Sequence, residues 1–220
     1  MGFMAPGRTR GRLFGASYRE VVRLRDGSAV LLRLVRPEDK PLFREAWGRL
    51  SPESRYRRFF APKEVLTPAE LRHLTETDGE KHLAIVALHG AAGRERGVGV
   101  ARFVRLPGRP EAAEAALAVT DDFQNRGLGS VLADRLARAA QERGIRRAVC
   151  EVLPGNEPVL RLLRRSFPRA VLREEGGLIV VEIDLGSSGG GGAFRRLLSL
   201  AARGAKALGR PFTAPKGNRA

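Results

Sequence analysis

Cysteine and histidine are scarce in this chain. One cysteine, Cys150, stands among 220 residues, so neither an internal disulfide framework nor a cysteine-rich metal site is possible. A reducing cytosol is the compartment that fits. The three histidines, His73, His82 and His89, are not paired at metal-ligand spacing, which argues against metal catalysis. Long apolar runs are missing as well. None approaches the roughly 18 to 20 residues of a membrane span, and Met1 to Arg12 is broken by Gly, Pro and Arg before a signal-peptide core can form. The expectation is a soluble, cytoplasmic protein. With 43% apolar residues the chain is long enough for one packed domain with tails and short for two.

Acidic residues are outnumbered, 24 against 40 basic ones, for a net charge of +16. The excess is concentrated at the ends: Arg8, Arg10 and Arg12 near the start, and Arg195, Arg196, Arg203, Lys206, Arg210, Lys216 and Arg219 after Gly186, with no acid among them. A moderately basic centre suits an anionic cofactor, and basic tails suit a polyanionic surface such as nucleic acid, ribosome or anionic membrane. Solubility accounts for the tails equally well.

Hydrophobic patterning divides the chain into a disordered basic N-terminus (1–17), a domain (18–185), a Gly/Ser linker (186–192) and a basic amphipathic tail (193–220). Within the domain, Ala29 to Val35 reads as a strand. Arg36-Pro37-Glu38-Asp39 then opens a helix running to about Leu50, Ser51-Pro52-Glu53-Ser54 opens another, and Thr67 to Glu70 form the capping box of a third. His82 to Leu88 and Gly97 to Val104 predict an antiparallel hairpin, and Ala113 to Val119 a further strand. Leu128, Val131, Leu132, Leu136, Ala139 and Ala140 recur at helical spacing, and Gly144 fits a left-handed helix end. Ala148 to Leu153 predicts a strand, Asn156 to Ser166 a helix, and Leu178 to Ile183 a last strand. The order is strand, helices, three strands, helix, strand, helix, strand.

The chemistry concentrates in Gln124-Asn125-Arg126-Gly127-Leu128-Gly129, between a strand and an amphipathic helix. Glycines there let several backbone N–H groups converge on one phosphate, beside the positive end of the helix, and Arg126 offers a further contact. The loop suits a pyrophosphate. It has no Gly-Lys-Ser/Thr, as a Walker loop requires, and Leu132 stands where a dinucleotide fingerprint needs its third glycine.

The spacing Gln-x-x-Gly-x-Gly after a strand resembles that of GNAT acetyltransferases. Ser51 to Phe60, Leu66 to Leu71 and Asn156 to Arg165 are similar to the acetyltransferase domain of bacterial Pat-type protein lysine acetyltransferases, over roughly Tyr18 to Leu185. The resemblance implies an α/β (α+β) GNAT fold, a mixed central sheet flanked by helices, with acetyl-CoA as cosubstrate and no metal. It implies that backbone groups from Leu117 to Val119 contact the pantetheine arm and thioester carbonyl. It further implies that Gln124, Asn125, Arg126, Gly127, Leu128, Gly129 and Ser130 cradle the pyrophosphate, and that Asn156 contacts the pantetheine chain. Leu163 stands where many GNAT enzymes carry a Tyr general acid, and Ser166 where Gly is usual before Phe167; thiolate protonation then falls to water.

Attack on a thioester needs a neutral amine, and a lysine of pKa about 10.4 is neutral in only about one molecule in 10³ near pH 7. A base is therefore required. Glu114 matches the Glu of the Pat-type pattern, with Glu111 as a rival just before the strand. The expected activity is acetyl transfer to a protein lysine. A small amine or amino-terminal acceptor is the alternative within the class, and a non-catalytic acyl-CoA-binding or nucleic-acid-binding module the alternative outside it. Cys150, amid Val and Ala, reads as buried filler. Tyr56, Phe59 and Phe60 read as core or as a wall of the substrate entrance.

Overall fold

The computed structural model describes residues 12–52, 54–55, 64–152, 154 and 171–185. The helix expected from Asn156, the aromatic group Tyr56, Phe59 and Phe60, the Gly/Ser linker and the basic C-terminal tail lie outside these residues.

Eight strands form one sheet: β1 (Arg19–Arg23), β2 (Ala29–Leu34), β3 (His82–His89), β4 (Arg96–Leu106), β5 (Arg109–Val119), β6 (Arg147–Val152), β7 (Val171–Glu175) and β8 (Leu178–Asp184), in the spatial order β1-β2-β3-β4-β5-β6-β8-β7. Neighbours are antiparallel except β5 and β6, which are parallel. Among the described residues the helices are α1 (Lys40–Gly48), α2 (Pro68–Thr75) and α3 (Leu128–Glu142). The sheet is mixed and helix-flanked, as expected.

β1 and β7 were not anticipated from the sequence. Arg-Glu-Val-Val-Arg and Val-Leu-Arg-Glu-Glu hold too few apolar residues to stand out, because both lie at the edges of the sheet with mostly exposed side chains. Charged edge strands also discourage pairing with other chains. β1 is tied down through Glu20, whose carboxylate accepts from Arg135 Nε at 2.8 Å and Nη2 at 2.5 Å on α3.

α3 buries Leu128, Leu132, Leu136 and Ala140 against one face of the sheet, meeting Ala101, Phe103, Ala115 and Leu117. Gly144, at φ +72°, ends the helix as anticipated. Gly99 on β4 lets α3 approach closely: a Cβ there would lie 3.0 Å from Leu132 Cδ1 and 3.2 Å from Leu128 Cδ2. The opposite face packs Val35, Ala84, Val86 and Leu88 against Leu42 and Phe43 of α1.

Order begins before Tyr18. Phe14, placed by the sequence in a flexible terminus, is fully buried in the α3-side core, a burial contributing about 2 to 3 kcal/mol. The N–H groups of Leu13 and Phe14 donate to Glu142, and Arg143 Nη2 donates to the Phe14 carbonyl at 2.7 Å. Two widely spaced aromatic rings, Phe3 and Phe14, in a Gly/Arg-rich stretch carry no periodicity, so this docking was not legible.

Between β2 and α1, Asp39 pairs bidentately with buried Arg33 (2.6 and 2.7 Å) and accepts the Arg36 N–H at 2.8 Å. That fixes the chain reversal. Pro37–Asp39 forms a 3₁₀ turn and the α-helix begins at Lys40. Ser51 starts a helical turn, its Oγ accepting from Ser54 N–H, and the Thr67/Glu70 capping box opens α2 as the sequence predicts.

Candidate functional site

The parallel contact between β5 and β6 is short. It comprises Ala112 with Arg147, Ala113 with Ala148 and Glu114 with Val149, and then stops, although β5 continues to Val119 and β6 to Val152. Past Glu114 the two strands form a fork. Backbone groups alternate along a strand. The Glu111 carbonyl accepts from Arg146 N–H on the β6 side, and the Thr120 N–H donates to Val98 on the β4 side. Alternation between these two anchors turns the N–H groups of Leu117 and Val119 into the fork, where β6 gives them no ladder partner among the described residues.

The glycine loop closes the open end of the fork. A 3₁₀ turn, Asp121–Phe123, follows β5, and Gln124 folds back so that its side-chain amide donates to Asp121 at 2.8 Å and to the Val119 carbonyl at 3.4 Å. Asn125 is left-handed (φ 62°), as is Gly127 (φ 93°), which is the N-cap of α3 without any side-chain cap. The Gln124 N–H is taken by Asp121 and the Ser130 N–H by Gly127. Among the described residues, the N–H groups of Asn125, Arg126, Gly127, Leu128 and Gly129 make no backbone hydrogen bond outside the helix ladder. These five belong to the turn that enters the positive end of α3, an arrangement suited to phosphate. The loop thus fits the diphosphate of a coenzyme A thioester, and the open β5 edge fits an amide-bearing arm lying along it.

Arg126 does not stand free at this site. Its Nη1 pairs with Asp26 Oδ2 at 2.8 Å, and its guanidinium carbon lies 4.6 Å from the centre of the Phe123 ring. Its carbonyl accepts the Arg25 N–H at 3.2 Å. The β1–β2 turn is thereby stitched to the loop across 100 residues of sequence, a contact no local pattern announces.

On the sheet face opposite α3, a cleft is walled by Phe43, Trp47 and Leu74 and floored by Val100, Arg102, Ala116 and Ala118. Cross-strand register places Glu114 on this same face, opposite Val104 and two residues from Ala116. Glu114 is half-buried and occupies the last rung before the fork. Glu111 lies inside β5 rather than before it, lower on the ladder, with its carboxylate 3.8 Å from Arg109 Nε.

Arg102 is buried beside the cleft, donating to His73 Nε2 at 2.8 Å and to His82 Nε2. Guanidinium only donates, so both imidazoles present a lone pair. Burial first, then the positive charges of Arg102 and His73, push the His82 pKa down to about 3. No group of residues fit to hold a metal occurs among the described residues. Cys150 is wholly buried, and burial followed by the carboxylates of Glu114 and Glu151 pushes its thiol well above the usual range.

Comparison with known proteins identifies the family and agrees with the fold. An acetyltransferase of Pseudomonas aeruginosa is 36% identical over 126 residues, which is 57% of this chain and 67% of that protein. The acetyltransferase Pat of Mycolicibacterium smegmatis is 34% identical over 164 residues, and the match takes in 74% of this chain but only 48% of the relative. The crystal structure of the GNAT domain of PAT from S. lividans superposes with a TM-score of 0.66 at 29% identity, covering 78% of this chain and 99% of that domain. The profile of the Acetyltransferase (GNAT) family matches residues 38–167, a span that contains the fork, the loop and Glu114. The chain belongs to the GNAT family of acetyltransferases.

Proposed function

We propose that this protein transfers an acetyl group from acetyl-CoA to a primary amine, with a protein lysine side chain as the acceptor. The observation that carries the reading is the fork: a strand edge with Leu117 and Val119 N–H groups facing inward, ending in a glycine loop whose amides make no backbone hydrogen bond outside the helix ladder among the described residues. Bound there, acetyl-CoA supplies a thioester-activated acetyl group. The amides of Asn125 through Gly129 hold its diphosphate, and the β5 edge orients its pantetheine arm. Asn156 is the proposed partner of that arm.

The acceptor enters from the cleft face. Glu114, at the crotch of the fork, takes a proton from the incoming ammonium directly or through water. The amine then attacks the carbonyl carbon, whose oxygen is met by the backbone N–H of Leu117 or Val119 as negative charge develops. The thiolate leaves and is protonated by water. The cleft's apolar walls accommodate the lysine methylenes while excluding bulk water. Likeness to the Pat proteins supports a protein acceptor.

Incubating purified protein with acetyl-CoA and either a lysine-containing peptide or a panel of polyamines tests the assignment. Acetylated peptide is the expected product. Turnover of small amines with no peptide modification overturns the choice of acceptor, and no turnover of either overturns the activity.

A further inference from the structure

The N-terminal end of α3 is positive in two independent ways. A 15-residue helix carries about half a positive charge at its first turn. Its N-cap is Gly127, and no acidic residue occupies that turn. Against this end lies a cationic side chain from a distant part of the chain. Arg25, in the β1–β2 turn, brings its Cγ and Nε to 3.5 Å from where a Gly127 Cβ would stand.

Helix N-termini attract anions and disfavour cations, so a guanidinium laid across one opposes the ordinary preference. Among the described residues Arg25 makes no ion pair. The neighbouring Asp26 is already engaged by Arg126 at 2.8 Å, by the Ser28 N–H at 3.1 Å and by the Ser28 hydroxyl at 2.6 Å. The sequence offers Arg126 as the loop's cation, yet Arg126 is the one that is neutralised. An exposed arginine that makes no ion pair among the described residues, beside amides that make no backbone hydrogen bond there outside the helix ladder, is an arrangement that a polyanion relieves.

We propose that Arg25 is the residue whose guanidinium engages the phosphates of the acyl-CoA. Arg126 is a positioning residue: its pairing with Asp26 and its carbonyl's bond to Arg25 N–H hold the β1–β2 turn, and so Arg25, over the loop. The assignment rests on the coenzyme A reading above and adds to it a contact from outside the loop and helix. The shared chemistry is a phosphate oxyanion, either of the diphosphate or of the 3′-phosphate.

Titration calorimetry of the full chain with CoA and with dephospho-CoA tests this in wild type, Arg25→Gln, Arg126→Gln and the double variant. Arg25→Gln is expected to weaken CoA about tenfold or more, with the unliganded melting temperature unchanged because the side chain is exposed. An equal loss on both ligands assigns the contact to the diphosphate, and a loss confined to CoA assigns it to the 3′-phosphate. Arg25→Lys recovers part of the affinity. Arg126→Gln weakens CoA in the wild-type background and adds little in the Arg25→Gln background; full additivity overturns its positioning role. Wild-type affinity in Arg25→Gln overturns the proposal and leaves the coenzyme A reading standing. Failure of the wild type to bind CoA overturns both.

Discussion

Glu114 and Val149 form the last rung of the β5–β6 ladder, so the Glu114 carboxylate, at the crotch of the fork, also lies on the face that carries the apolar cleft. Replacing it by Gln keeps the shape and removes the base. Glu114→Gln should lower kcat by about 10²-fold or more while leaving CoA affinity unchanged. Initial rates and calorimetry check this, and an unaltered rate would remove Glu114 from the mechanism.

Gly99 sits where α3 crosses β4, with Leu132 Cδ1, Leu128 Cδ2 and the Ala118 carbonyl at 3.0, 3.2 and 3.3 Å from a would-be Cβ. Gly99→Val should overpack this contact and cost about 1 to 3 kcal/mol in urea denaturation. The displaced α3 N-terminus should also weaken CoA binding.

The Arg33–Asp39 pair is almost wholly buried and bidentate. Asp39→Ala strands a guanidinium in the core and should cost about 3 to 5 kcal/mol. The apolar pair Arg33→Met with Asp39→Leu should cost less, because neither charge is then left alone. Chemical denaturation of the three proteins ranks them.

His82 stays neutral in the folded chain down to about pH 3, held there by burial and by Arg102. In the unfolded chain it titrates near 6.5. Between these values the unfolded state binds more protons, so stability is full above pH 6.5 and falls as pH drops toward 3, by at most about 1.4 kcal/mol per pH unit. His82→Gln should flatten the urea midpoint in this window relative to wild type, while the loss from carboxylates at lower pH persists. Parallel slopes in the two proteins would contradict the burial argument.

Cys150, fully buried with its thiol pushed upward, should resist maleimide labelling in the native protein and react once denatured. Labelling at the rate of an exposed thiol would show that the strand opens readily.

Much of the architecture was legible because inner strands such as His82–His89 bury both faces and read as aliphatic runs, and because α3 repeats its leucines at helical spacing. β1 and β7 were not legible, since an edge strand needs little hydrophobicity to be held. For the candidate site, the glycine loop was visible as local residue types at local spacing, and Glu114 through its match to the Pat-type pattern. The Asp26–Arg126 pair was not, because partners separated by 100 residues leave no periodic trace. The fork was equally hidden: where a ladder stops depends on how two strands diverge, and the apolar residues Ala115 to Val119 would read the same in a continuous sheet.

The sheet is in effect two antiparallel panels, β1 to β5 and β6-β8-β7, fastened by three parallel residue pairs and by Arg109 reaching Glu182 at 2.7 Å. A molecule lying along the unfastened length would act as a zip, merging panels that otherwise have separate tendencies to open. Amide exchange in β6 and β8 should then slow on ligand addition more than exchange in β2 and β3, so that occupancy is read out as rigidity on the far side of the seam.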